Sequence, residues 1–342
     1  MTTLPAKTYK YAHYAIPDPD FDKYKDDESL SPLLSEISVS EIRANVSGKP
    51  LFFPYERSEV ASVEISHQHI TIRDGAEIEL RIYKNREIEE SAILFFVAHG
   101  GGWVLGDHDT EEAMNRLVAK RTSSVVVSVN YRLAPEYPFP YAINDSWDAL
   151  QWCRNNAHSL GVDANRVIVG GSSSGGNIAA ALALKDRDDG IGAVFGQVLN
   201  IPDICHPAHF PTDKYEYYSP EQNKDAPILT TKAAHWLWDL YCPDDGANPY
   251  ASPLLAESHE ELSPALVQVA GRDPIRDDGL AYSEALKAAG VPVKTKVYPG
   301  LPHAFHLFPE LEDTTVYYDT VVNWINYLDK DMAKINKFDK KA

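Results

Sequence analysis

The sequence predicts an α/β protein built on a doubly wound, mostly parallel sheet of about eight strands with a helical cap. Three observations carry this reading: short apolar runs, rich in β-branched residues and lacking alternation, helical segments between them, and a pair of alternating strands ahead of them. With 342 residues, 44% of them apolar and 24% charged, the chain has an ordinary globular balance that one large core can hold.

Residues 1–62 mix Pro, Asp, Tyr and Ser with small apolar clusters such as Leu33, Leu34 and Ile37, and read as a few helical turns packed on something else. From Ser66 the pattern alternates: Ile70 and Ile72, then Ile78, Leu80 and Ile82, with Asp74-Gly75 between them, predict two antiparallel strands joined by a turn. The runs at 92–97, 124–129, 166–169, 193–199, 265–269 and 293–297 are read as strands buried on both faces. Ile143, Trp147 and Leu150 recur at i, i+4 and i+7 and mark one connecting helix. Segments 111–121, 176–186, 279–289 and 315–327 supply the others, and their alternation with strands is what a doubly wound sheet requires. The stretch 202–262 breaks the rhythm, carrying Pro, Tyr, Trp236 and Trp238 with a helical segment near 230–241. It reads as an insertion whose aromatic residues mainly pack the cap onto the core. The organisation expected is therefore a cap of residues 1–62 and 203–262 on a core of 63–202 and 263–342, one structural unit.

A net charge of −18 opposes binding to nucleic acid or an anionic membrane, both of which need an electropositive face. The longest apolar stretch, 92–98, is too short to cross a bilayer, so no stable membrane insertion is expected. The N-terminal residues lack the pattern of a secretory signal, which points to the cytoplasm. Cys153, Cys205 and Cys242 are three in number and without metal-type spacing, as reduced thiols would be. Cys205-His206 with His209 lacks a second cluster to complete a tetrahedral set, so no metal is expected.

The strongest local signal is Gly171-Ser172-Ser173-Ser174-Gly175, which comes after the run at 166–169 and leads into the helix from Gly176. This G-x-S-x-G in strand-turn-helix context forces its central residue into a strained turn, while the flanking glycines let strand and helix approach. Ser173 alone of the three serines has glycine at the right spacing on both sides, and it would project Oγ at a helix N-terminus. His99-Gly100-Gly101-Gly102-Trp103 comes directly after the run at 92–97. Acyl transfer develops charge on a carbonyl oxygen, and fixed backbone N–H donors of a glycine loop stabilise it without reorganising.

The pair of motifs resembles the hormone-sensitive-lipase-like family of esterases and lipases, of the α/β-hydrolase fold, whose signatures are HGGG and a GDSAGG-type elbow. The resemblance continues through Tyr131-Arg132-Leu133-Ala134-Pro135-Glu136, Asp273-Pro274-Ile275-Arg276-Asp277 and His303-Ala304-Phe305, from roughly residue 65 to the end of the chain. It implies Ser173 as nucleophile, oxyanion donors from the N–H groups of Gly101, Gly102 and Ser174, and Asp273 and His303 as acid and base. His99, with Gly100, would steady the glycine loop. Ser172 and Ser174 depart from the family's usual Asp and Ala, and Ala304 stands where Gly is common.

The residues themselves support the acid, because Asp273 succeeds the run at 265–269 after a short turn, on the sheet edge expected for Ser173. Asp277 and Asp278 precede a helical segment and read instead as caps or dipole partners. Of twelve histidines, His303 lies on the loop after the last strand, which completes the order Ser, Asp, His; His306 is assigned to the next segment. Imidazole suits a base because its ordinary pKa of about 6.5 lets it take and return a proton near neutrality. The expectation is a carboxylesterase acting on short- to medium-chain esters, with no cofactor and a small-molecule ester as partner. The resemblance also implies a homodimer paired through the edge strand, here 293–297. Lactone or amide hydrolysis, or acyl transfer and cyclisation in secondary metabolism, would use the same triad. A non-catalytic small-molecule receptor is the alternative from a different class.

Overall fold

A computed structural model describes residues 9–24, 38–46, 54–88 and 91–339, and the expected apolar cluster of Leu33, Leu34 and Ile37 lies outside the described residues. Strands β1 (Val63–Thr71), β2 (Glu77–Asn85), β3 (Ala92–Ala98), β4 (Ser124–Val129), β5 (Val162–Ser172), β6 (Val194–Asn200), β7 (Ala265–Ala270) and β8 (Val293–Tyr298) form one sheet in the order β1-β2-β4-β3-β5-β6-β7-β8. β1 pairs antiparallel with β2 and β2 antiparallel with β4, and every later pairing is parallel. The helices are α1 (Val39–Val46), α2 (Glu112–Arg121), α3 (Tyr141–Asn155), α4 (Ala157–Leu160), α5 (Ser174–Asp188), α6 (Ser219–Gln222), α7 (Thr231–Tyr241), α8 (Arg276–Ala288) and α9 (Glu312–Asp339).

Side chains of a strand leave alternately on opposite faces, and β3 is covered on both: all seven of its residues are buried. Leu94 and Phe96 join the apolar cluster of α3, α5 and α8, whereas Ile93, Phe95 and Val97 join that of α2 and α9. The long α9 arises from apolar spacing, with Tyr317, Val321, Ile325 and Leu328 buried on one stripe. One expectation changes: β8 is not buried on both faces but is half-exposed at the edge of the sheet. Its Val-Lys-Thr-Lys-Val sequence places two lysines on this half-exposed edge strand.

The insertion after β6 folds onto the end of the sheet where the parallel strands finish. Thr230 caps α7 by accepting from the Ala233 N–H at 3.1 Å, and the helix buries Ala233, Ala234, Leu237, Trp238 and Tyr241. Its aromatic residues pack: Tyr241 stacks on Trp103 of the glycine loop with centroids 4.1 Å apart, and Trp238 lies 4.5 Å from the same ring. Among the described residues no helix is long and apolar enough to cross a membrane.

Candidate active site

In an open parallel sheet, ligand sites form beyond the carboxyl ends of the strands. Ser173, directly after β5, has φ 54° and ψ −121°, a strained conformation for a residue with a side chain. The turn that imposes it is possible only with glycine on both sides. A Cβ at Gly171 would stand 2.3 Å from the Ala98 carbonyl oxygen, and one at Gly175 would stand 2.1 Å from the same atom. The Ser173 N–H donates to the Asn200 carbonyl at 2.8 Å, which ties the elbow to β6.

Three loops bring distant residues to one row. His303 Nε2 lies 3.1 Å from Ser173 Oγ, and His303 Nδ1 lies 2.7 Å from Asp273 Oδ2. The tautomer with hydrogen on Nδ1 donates to the carboxylate and leaves the Nε2 lone pair facing the hydroxyl. Asp273 is 1% exposed, and its other oxygen accepts from the Ile275 N–H at 3.0 Å, so the carboxylate is held from both sides. Ala304, where the resemblance leads one to expect glycine, adopts φ 56°, the left-handed conformation glycine takes without penalty.

The amide N–H groups of Gly101, Gly102 and Ser174 donate to no acceptor among the described residues, and Gly101 and Gly102 line the cavity beside Ser173. The loop that presents them is braced from behind. The His99 ring is buried and stacks on Tyr131 with centroids 4.2 Å apart, its Nδ1 reaches Gly100 O at 2.9 Å, and the Tyr131 hydroxyl donates to His99 O at 2.8 Å. Burial pushes the His99 pKa down to about 4, so the ring is neutral.

The cavity encloses about 170 Å³ and is lined largely by Leu105, Ile201, Ile228, Leu229, Ala234 and Leu237, with Ser173 and His303. Ile228 has φ 70° and sits in a three-residue turn closed by the Leu229 N–H on Pro227 O at 2.8 Å, a strained position for a β-branched side chain. A larger open groove of about 810 Å³, lined by Val194, Val293 and Trp324, lies at the opposite end of the sheet, away from all of these groups.

His306 stays apart from the row: it is buried, stacks on Tyr317 with centroids 4.6 Å apart, and has its pKa pushed down to about 3 by burial. Asp277 and Asp278 are not caps of α8, whose N-cap is Ile275; they lie in its first turn. Asp277 Oδ2 accepts from the N–H groups of Tyr218 and Ser219 at 2.6 and 2.7 Å, and Asp278 Oδ1 from that of Cys205 at 3.0 Å, so both fasten the insertion. Sequence reasoning passed over two buried acids that line the cavity, Glu111 and Asp203. Glu111 reads in sequence as an ordinary acid at the start of a helix, and nothing around Asp203 marks it. Among the described residues no group of three or more His, Cys, Asp or Glu side chains is arranged to hold a metal ion.

A hydroxyl, an imidazole and a carboxylate in one row, at the carboxyl end of an eight-stranded sheet and beside free loop amides, define the class of serine-dependent α/β enzymes. A family model described as the alpha/beta hydrolase fold matches residues 95–307, and the chain belongs to that family, in its hormone-sensitive-lipase-like branch. The esterase LipI of Mycobacterium tuberculosis is 41% identical over 222 residues, covering 64% of this chain and 67% of the relative. Among solved structures, an esterase from Pyrobaculum calidifontis superposes with a TM-score of 0.76 at 33% identity, covering 92% of this chain and 99% of the other. Vibralactone cyclase superposes with a TM-score of 0.85 at 27% identity, covering 96% and 99%.

Proposed function

We propose that the chain is a serine carboxylesterase that hydrolyses short- to medium-chain carboxylic esters through an acyl-enzyme on Ser173. The observation that carries this reading is the row in which His303 stands 3.1 Å from Ser173 Oγ and 2.7 Å from Asp273. His303 takes the hydroxyl proton as Oγ attacks the ester carbonyl, Asp273 holds the ring and its developing charge, and the N–H groups of Gly101, Gly102 and Ser174 stabilise the oxyanion. His303 then gives the proton to the departing alcohol. Water, deprotonated by the same imidazole, cleaves the acyl-enzyme and regenerates the serine. His99 and Gly100 hold the oxyanion loop in place. A cavity of about 170 Å³ is close to one of about 150 Å³ that accepts benzene, which supports small acyl groups. The test is turnover of p-nitrophenyl acetate and butyrate: Ser173→Ala should lose at least about a thousandfold in kcat, and substantial turnover by that variant would refute the nucleophile.

Residues 1–62 and 203–262 act in this proposal as a cap on the core of 63–202 and 263–342. It is supported by Leu229, Ala234 and Leu237 on the cavity wall and by the Lys10 and Tyr11 N–H groups, which donate to Glu216 at 2.6 and 2.9 Å. A cytoplasmic location is supported by three buried free cysteines, and pairing of two copies through β8 by the open edge of that strand. Light scattering at twice the chain mass would establish the dimer. The likeness to vibralactone cyclase favours a second reading, in which a nucleophile within the acyl group captures the acyl-enzyme in place of water. Mass spectrometry in ¹⁸O-water separates the two, since hydrolysis places solvent oxygen in the acid and cyclisation does not.

A further inference from the structure

The proposed oxyanion loop is gripped by a side chain from α1, ahead of the residues that carry the family resemblance. Gly101 O accepts from the Val104 and Leu105 N–H groups at 3.2 and 2.9 Å, so residues 101–105 form a tight turn that begins at one of the proposed donors. Arg43 Nε donates to the Val104 carbonyl of that turn at 2.9 Å. Its Nη2 donates to Ala134 O at 2.8 Å, and Nη1 and Nη2 each donate to one oxygen of the Glu136 carboxylate at 2.9 Å. The Ala134 N–H donates in turn to Trp103 O at 2.9 Å, so one guanidinium closes a ring of contacts between the glycine loop and segment 131–136. A local cause places Arg43: Ser38 and Glu41 cap each other at the start of α1, through Ser38 N–H to Glu41 Oε2 at 2.8 Å and Glu41 N–H to Ser38 Oγ at 3.3 Å. Ile42, the next residue back, is wholly buried and seats the helix.

We propose that Arg43 is a positioning residue, whose guanidinium joins the Val104 and Ala134 carbonyls and so holds the glycine loop where Gly101 and Gly102 meet the oxyanion. This rests on the serine-hydrolase reading of the site. Val104 and Ala134 are buried, and no backbone N–H among the described residues donates to either carbonyl. A buried carbonyl left without a donor is costly, so the loop would shift to find one once the guanidinium is gone. The shift is felt at the donors, because the loop is already tight against α7: a Cβ at Gly102 would stand 2.4 Å from Leu237 Cδ1. The ion pair to Glu136 is the lesser part of the contact, since the two side chains are 31% and 54% exposed and water screens them. Its part is to orient the fork. A planar guanidinium can serve two carbonyls and a carboxylate together, whereas an ammonium is a point charge without that reach.

That difference in shape sets the experiment. Arg43→Met keeps an apolar stem and removes every donor, so kcat on p-nitrophenyl butyrate should fall by about 10- to 100-fold with KM within about twofold, as expected when transition-state donors are displaced. Affinity for a trifluoromethyl ketone, whose carbonyl oxygen becomes an oxyanion when Ser173 Oγ adds to it, should fall in parallel. Arg43→Lys keeps the charge but serves one carbonyl well at most, and its kcat should lie between, about 3- to 10-fold below that of the unaltered chain. A folded Met variant that loses less than about threefold in kcat overturns the proposal, as does a loss confined to KM or one that leaves trifluoromethyl ketone affinity unchanged. If the Met variant fails to fold, the Lys variant decides: a loss of at least about twofold in kcat at unchanged KM supports the proposal, and a smaller one overturns it. Failure of the underlying reading looks different: turnover would survive Ser173→Ala, or the unaltered chain would turn over no ester.

Discussion

Asp203, three residues beyond β6, shows how one residue can set a pH dependence. Burial raises its pKa to about 7, against the indole N–H of Trp238, which donates to Oδ1 at 2.9 Å. A carboxyl whose folded pKa lies above its unfolded value is held protonated by the fold. Its stabilising contribution is complete below about pH 4 and is lost as pH rises through about 7. Asp203→Asn keeps the acceptor for Trp238 and cannot ionise. Its stability relative to the unaltered chain should therefore increase between about pH 4 and pH 8, by up to a few kcal/mol at about 1.4 kcal/mol per pKa unit. Urea midpoints at both ends of that range check this, and a difference independent of pH would mean that the buried carboxyl does not titrate there. At this scale the sequence exposes Ser173 because glycines at fixed spacing have a steric cause, whereas Asp203 is one acid among many until burial singles it out.

At the scale of elements, the insertion is bolted to the loop that carries Asp273. Arg276 and Asp277 form a wholly buried ion pair at 2.8 Å, Ser219 donates to Pro274 O at 2.8 Å, and Asn223 donates to Asp273 O at 2.9 Å. Removing one partner of such a pair leaves an uncompensated charge, so Asp277→Ala should cost about 3–5 kcal/mol of stability by chemical denaturation. A loss under about 1 kcal/mol would mean that the Arg276 guanidinium finds other acceptors. Most elements are legible beforehand from apolar periodicity, the segment at 230–241 among them. The fastening of the insertion is not legible, since Asp277 and Asp278 look like helix-start acids and their partners are fifty-nine and seventy-three residues away in the chain.

For the whole molecule the dominant long-range term is a net charge of −18, which repels itself in the compact state. Raising sodium chloride from about 0.01 to about 0.3 M shortens the Debye length from about 30 Å to under 8 Å and should raise Tm by a few degrees; an unchanged Tm would show that opposite charges already balance locally. By itself the sequence determined the eight strands, the elbow, the glycine loop and the order Ser173, Asp273, His303, because each has a local cause in periodicity, glycine spacing or the family motif that carries it. Only the tertiary structure decided that Ser173, Asp273 and His303 meet at hydrogen-bonding distance, that β8 is half-exposed, and that Glu111 and Asp203 are buried at the cavity. Distance between remote residues, and the removal of a carboxyl from water, are properties of packing, which no window of neighbouring residues contains.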